Sequence, residues 1–253
     1  MTAIVLLALL GLAVGSFLNV CCDRLPQRQS IIRPPSHCSS CGQKLKIRDL
    51  VPIFSYLWLR GRCRYCGAHI PLRLPLVEVG TALLFVLICW HYGLGPQLPM
   101  ALIYACIFLV VFVIDLEHGL ILDVVVYPAM VLALIFSFFW PELEWPSLGV
   151  LSALLGGAVG FGLMLVPHLV SGGGMGGGDV KLAGLIGLAT GFPYVLIALL
   201  TAIIAAGLLA IALIASRRRT RKQTIPFGPF LAAAAMVTLV WGQPIADWVI
   251  GIF

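Results

Sequence analysis

Charge is what this sequence has least of. Among its 253 residues, 10% are Asp, Glu, Lys or Arg and 61% are hydrophobic, more apolar surface than a soluble domain of this length needs to fill one core. The long apolar runs are almost free of ionisable side chains. That counts against a transporter or channel gated by its glycine loop, which would place polar or charged groups near the bilayer midplane. The first run, Met1–Val20, lacks a basic n-region and a convincing small-residue cleavage site, so it is read as a retained span and not as a signal peptide. No glycine motif of the nucleotide-binding kind sits on a strand, which excludes a Rossmann-type site.

What remains is a series of apolar segments, each near the length that crosses a bilayer. They predict an all-α polytopic membrane protein of about eight transmembrane helices: Ala3–Val20, Leu76–Trp90, Ala101–Ile114, Ile121–Phe139, Leu148–Leu169, Val180–Thr190, Tyr194–Ser216 and Phe227–Ile252. The chain divides into a first span (1–22), a polar module (23–74) and a seven-helix domain (75–253).

Ten of the 16 Lys and Arg residues fall in Asp23–Leu74 and five in Arg217–Lys222. The positive-inside rule puts both clusters on the cytoplasmic face and the N-terminus outside. The loop Trp140–Pro146, WPELEWP, is acidic with interfacial tryptophans and suits the outer side. The basic run Arg217–Lys222 reads as an anchor touching anionic lipid, in preference to a nucleic-acid site. Gly156 and Gly160 in the fifth span are spaced for close helix packing.

Two carboxylates stand out. Asp179 follows the glycine-rich stretch that contains Gly172–Gly174 and Gly176–Gly178, and Asp115 ends the third span. A glycine run alone reads as a flexible link between helices, but an ionisable group at the edge of a span demands a role and a partner. The predicted topology brings both aspartates to the cytoplasmic boundary. Paired there, they can hold one proton between them and act as general base and general acid. Glu117 and His118 read as polar residues of a short turn, and Lys181 as a side chain snorkelling to lipid phosphate.

Cys38-Ser-Ser-Cys41 and Cys63-Arg-Tyr-Cys66 are two C-x₂-C pairs with 21 residues between them. Each is followed by a glycine, Gly42 or Gly67. Four thiolates close a tetrahedral structural zinc site and leave no open position for catalysis. Two disulfides are the alternative, against which a cytoplasmic location argues. His37 and His69 are substitute ligands or surface residues. The apolar stretch Leu50–Leu59 either packs the module or rests on the membrane surface. Cys21, Cys22, Cys89 and Cys106 read as inert thiols in or beside spans.

Taken together, several motifs resemble the type IV prepilin peptidase family and extend over nearly the whole chain. They are Gly15-Ser-Phe-Leu-Asn-Val20 with Arg24-Leu-Pro26, the two Cys pairs, Leu59-Arg-Gly-Arg-Cys63, Pro75-Leu-Val-Glu78, Asp115 and Asp123, Gly176-Gly-Gly-Asp179 with Lys181-Leu182, and Pro226-Phe-Gly-Pro229. The glycine–aspartate signature is also similar to that of presenilin-like intramembrane aspartyl proteases. The resemblance implies Asp115 and Asp179 as catalytic residues, supported by Gly176, Gly178, Asp123 and Lys181. It implies cleavage of the cytoplasmic leader of type IV prepilins or type II secretion pseudopilins after a glycine. N-methylation of the new N-terminal residue, usually Phe, would follow with S-adenosylmethionine. Gly61 is similar to a family glycine tied to that second activity; a peptidase without methyl transfer is the alternative. The implied setting is the bacterial inner membrane, with the active site on the cytoplasmic side. Two departures are Leu122, where the family has Pro before the aspartate matching Asp123, and Ser39, where many members have Pro.

Overall fold

The computed structural model describes residues 2–139, 149–170, 176–216 and 226–250, with the side chains of 249 and 250 excepted. The acidic loop Trp140–Pro146, the glycines Gly172–Gly174 and the basic run Arg217–Lys222 lie outside the described residues. Apart from two isolated β-bridges, the regular structure among the described residues is helical. Six helices are long and apolar enough to cross a membrane, and a seventh, of 17 residues, is apolar but shorter. The protein is a multi-pass membrane protein. It divides into two compact units, Met1–Leu98 and Pro99–Phe253.

In the first unit, α1 (Thr2–Arg24) lies antiparallel against α3 (Arg73–Tyr92). Glycine makes this approach possible: a Cβ on Gly11 would stand 2.6 Å from the Ala82 Cα, and one on Gly15 2.7 Å from the Glu78 Cα. Asn19 donates from Nδ2 to the Leu74 carbonyl at 3.0 Å across the same seam. Between these helices the chain makes a 3-10 turn, Ile47–Asp49, and the five-residue α2 (Phe54–Trp58).

The second unit contains α4 (Gln97–His118), α5 (Asp123–Phe139), α6 (Val150–Val170), α7 (Gly177–Thr190), α8 (Tyr194–Ala215) and α9 (Gly228–Ile250). Its core draws on Tyr104, Phe108, Val126, Leu182, Leu185 and Leu231. The central element is α7, which packs on α5, α6, α8 and α9. Leu182, Ala183, Leu185 and Ile186 are all fully buried. A helix enclosed over most of its length, as α7 is beyond its first turns, needs no amphipathic pattern, and the sequence GGDVKLAGLIGLAT shows none.

At 14 residues, α7 is about 21 Å long, short of the roughly 30 Å hydrocarbon layer. It lies against α6 with almost no side chain between them. A Cβ on Gly187 would strike the Gly156 carbonyl, and one on Gly160 the Ala183 carbonyl. The packing role expected of Gly156 and Gly160 therefore falls on the seam with α7.

Two boundaries differ from the sequence expectation. The helix carrying Asp115 continues through Glu117 to His118, where Gly119, at φ +64°, ends it by returning its N–H to the Asp115 carbonyl at 2.9 Å. At the other carboxylate, Gly177 and Gly178 belong to the first turn of α7 and not to a loop.

Candidate active site

Asp115 lies in the last turn of α4, Asp179 in the first turn of α7, and Gly228 is the first residue of α9. Both carboxylates are buried, at 4% and 9% exposure, and they lie within electrostatic range of one another. The Gly228 N–H donates toward the Asp115 carboxylate. Asp115 Oδ2 is nevertheless buried without a hydrogen-bond partner among the described residues.

Ile121, from the α4–α5 connection, joins the two halves of the site. A Cβ on Gly228 would lie 2.5 Å from Asp115 Oδ2 and 3.1 Å from Ile121 Cδ1, and a Cβ on Gly178 would lie 2.8 Å from Ile121 Cβ. Gly176 precedes α7 with its Cα beside Asp179: a Cβ there would be 3.4 Å from Oδ2. Side chains at Gly178 and Gly228 would collide with Ile121 and Asp115, which already pack against them.

The sequence marked Asp115, Asp179, Gly176 and Gly178, and the structure gathers all four. Gly228 was marked only as part of the Pro226-Phe-Gly-Pro229 motif, with no role at the pair, and Ile121 was not singled out. That position 228 needs glycine for space and not for backbone freedom follows from the packed Asp115 carboxylate and a φ that is not positive.

Lys181 and Asp123 pair with each other at the edge of this region. Lys181 Nζ is 2.7 Å from Asp123 Oδ1 and 5.3 Å above the Tyr127 ring. The ammonium thus has a protein partner in place of the lipid phosphate expected from sequence. Asp123 opens α5, where a carboxylate complements the helix dipole. Glu117 and His118 are exposed.

The four cysteines Cys38, Cys41, Cys63 and Cys66 also converge, their sulfurs all within 4.8 Å of one another. The two C-x₂-C turns are built alike. Cys38 N–H bonds the Gln43 carbonyl and Gly42 N–H the Cys38 carbonyl; Cys63 N–H bonds Ala68 and Gly67 N–H bonds Cys63. Gly42 and Gly67 take φ +69° and +72°, which a side chain would strain.

A tetrahedral zinc site with Zn–S near 2.3 Å separates its sulfurs by about 3.8 Å, and Cys38 and Cys66 are 3.9 Å apart. The cluster therefore fits a zinc ion. The N–H groups of Cys41 and Ser40 lower the Cys38 thiol to about 6. Although the Ala68 N–H favours its thiolate, Cys66 is pushed up to about 11 by lost hydration and the neighbouring sulfurs. Four sulfurs this close do not all ionise without a cation. Asp49 braces the second turn, accepting Arg64 Nε at 2.6 Å and the Tyr65 hydroxyl at 3.2 Å. His37 and His69 stay outside the sulfur cluster, exposed. None of the eight cysteines is in a disulfide.

A helical membrane protein that carries two buried carboxylates on separate helices within electrostatic range of each other, and a four-cysteine cluster in its other unit, has the features of a membrane aspartyl protease with an accessory metal-binding module. A family model described as the bacterial peptidase A24 N-terminal domain matches residues 9–92, and one described as the type IV leader peptidase family matches residues 102–211. The chain is 34% identical to the prepilin leader peptidase/N-methyltransferase of Pseudomonas putida, over 96% of this chain and 92% of that protein. It is 37% identical to the protein of that name from Xanthomonas campestris, over 94% of this chain and 91% of the relative. Its identity to the Bacillus subtilis protein of that name is 31%, over 97% of both. No solved structure gives a significant match. The chain belongs to the type IV leader peptidase family.

Proposed function

We propose that the protein is a prepilin leader peptidase and N-methyltransferase of the bacterial inner membrane, with Asp115 and Asp179 as its catalytic pair. The observation that carries the peptidase reading is the juxtaposition of two buried carboxylates from different helices, with Asp115 Oδ2 unpartnered. The ionised member takes a proton from water as the water attacks the scissile carbonyl. The protonated member gives its proton to the departing amide nitrogen. The two carboxyls act as one coupled unit. Gly178 and Gly228 let Ile121 and the Asp115 carboxylate pack against the starts of α7 and α9 more closely than any side chain would permit, which holds the pair in place.

The substrates are type IV prepilins or type II secretion pseudopilins, cut after glycine on the cytoplasmic side, with the N-terminus of the enzyme periplasmic. The leader and the module at 23–74 are both basic, so the apolar substrate helix and the glycine loop carry recognition. The seven-helix part, 75–253, is the peptidase domain. Cys38, Cys41, Cys63 and Cys66 would hold a structural zinc ion that cross-braces the module and, with four sulfur ligands, performs no chemistry itself. Asp123 and Lys181 support the edge of the site through their ion pair.

Methylation of the new N-terminal residue with S-adenosylmethionine is supported by the names of the relatives. Gly61 is the candidate residue for the methyl-donor region, and it also forms a corner of the module. It turns at φ +68°, and the Tyr56 hydroxyl fills the space beside it, 2.8 Å from where a Cβ would stand.

The test is cleavage of a prepilin by detergent-solubilised wild type, Asp115→Asn and Asp179→Asn, with folding of each checked. Loss of cleavage in both, with methylation of a pre-cleaved pilin retained, is the expected result. Full cleavage by either folded variant removes the pair.

A further inference from the structure

The segment between the two cysteine turns is apolar, yet it does not fill the module. Ile47 is 88% exposed, Trp58 83%, Leu57 65% and Phe54 64%. Phe54, Leu57 and Trp58 follow i, i+3, i+4 spacing and share one face of α2. Lys46, Arg60 and Arg62 flank the stretch, and Arg48 lies within it beside Asp49, which pairs with Arg64. An apolar face with basic flanks is the pattern of an element lying in an anionic membrane interface.

Its depth follows from two polar contacts. At the ends of α1 and α3, Arg73 pairs with Asp23 at 2.5 Å, so the polar boundary of the two spans lies at that level. Farther into α3, the Glu78 carboxylate, 8% exposed, accepts the Ile53 N–H at 2.8 Å and the Ser16 hydroxyl. Glu78 follows Arg73 by five residues, about 7.5 Å along the helix. Ile53 immediately precedes α2, and a helical side chain leans back toward the N-terminus, so α2 begins inside the boundary by no more than about that distance. Interfacial helices bury their apolar faces by roughly 5–10 Å.

The same geometry accounts for a carboxylate inside a span. A backbone N–H carried to that depth has no water to bond and needs an acceptor from the protein; Glu78 supplies it.

We propose that Ile47–Trp58 is an interfacial anchor, pinned by Glu78, that inserts Phe54, Leu57 and Trp58 into the headgroup–acyl boundary of an anionic bilayer. The cysteine module is thereby held on the membrane and does not hang free in the aqueous phase. The inference rests on the multi-pass architecture and is independent of the catalytic assignment.

It is tested on the full-length protein in vesicles of phosphatidylethanolamine and phosphatidylglycerol. The Trp58 signal, taken as wild type minus Trp58→Phe, is expected to lose most of its intensity to lipids brominated near the glycerol end of the acyl chain and little to aqueous iodide. A benzoylphenylalanine at Leu57 is expected to give phospholipid adducts on illumination, a readout that stands even where Trp58→Phe fails to fold. Quenching by iodide and not by brominated lipid would overturn the anchor. So would Leu57 adducts confined to protein, which would identify a second copy or the substrate helix as the occupant.

Discussion

Gly228→Ala isolates the geometry of the carboxylate pair. Nothing in the backbone at this position demands glycine, because its φ is not positive, and alanine is a good helix former. The added methyl, however, would lie 2.5 Å from Asp115 Oδ2 and 2.9 Å from its Cγ, where ordinary contact begins near 3.4 Å. The carboxylate or the start of α9 must therefore move by roughly 1 Å, and a misplacement of that size at a reacting group costs about 100-fold in rate, or ~2.7 kcal/mol of activation free energy. We expect kcat for prepilin cleavage to fall by about that factor, KM to change little, and methylation of a pre-cleaved pilin to be unaffected. The second neighbour, Ile121 Cδ1 at 3.1 Å, provides the control. Adding Ile121→Ala relieves the packing conflict but not the conflict with Asp115, so the double variant should remain impaired. A folded Gly228→Ala enzyme within about threefold of wild-type kcat, or full rescue by Ile121→Ala, would refute the reasoning.

Glu78→Ala should destabilise the first unit by about 1–3 kcal/mol, because the Ile53 N–H loses its acceptor in apolar surroundings. Glu78→Gln keeps an acceptor oxygen and should restore most of the loss; protease sensitivity of residues 25–72 reads both. Cys63→Ser should reduce zinc content, measured by elemental analysis of the purified protein, while prepilin cleavage persists, since the sulfur cluster contributes no catalytic group. Lys181→Ala and Asp123→Asn should each change the cleavage rate by less than about twofold in a kinetic assay, because the pair is solvent-accessible.

The helices were legible because a membrane span needs about 20 apolar residues and the chain has few charges to blur the edges. Asp115 and Asp179 were legible for the same reason, as rare carboxylates at span ends. The cysteine turns were visible in their spacing and trailing glycines. Other features depended on distances between segments remote in sequence. Gly228 lies 113 positions from Asp115, and only the fold makes its missing side chain matter. The partner of Lys181 is Asp123, 58 residues away, so local pattern pointed to lipid instead. The exposure of Leu57 and Trp58 was equally hidden, since an apolar run reads alike whether it fills a core or faces a bilayer.

The brevity of α7 bears on how the enzyme tolerates different membranes. Membrane thickness acts on proteins through lipid-facing helices, which tilt or stretch the bilayer to relieve hydrophobic mismatch. Asp179 rides on a helix that is surrounded by α5, α6, α8 and α9 and clamped backbone to backbone against α6. Changes in acyl-chain length reach it only through its neighbours. If Asp179 acts as proposed, prepilin cleavage is expected to vary less with acyl-chain length than the tilt of the surrounding spans does.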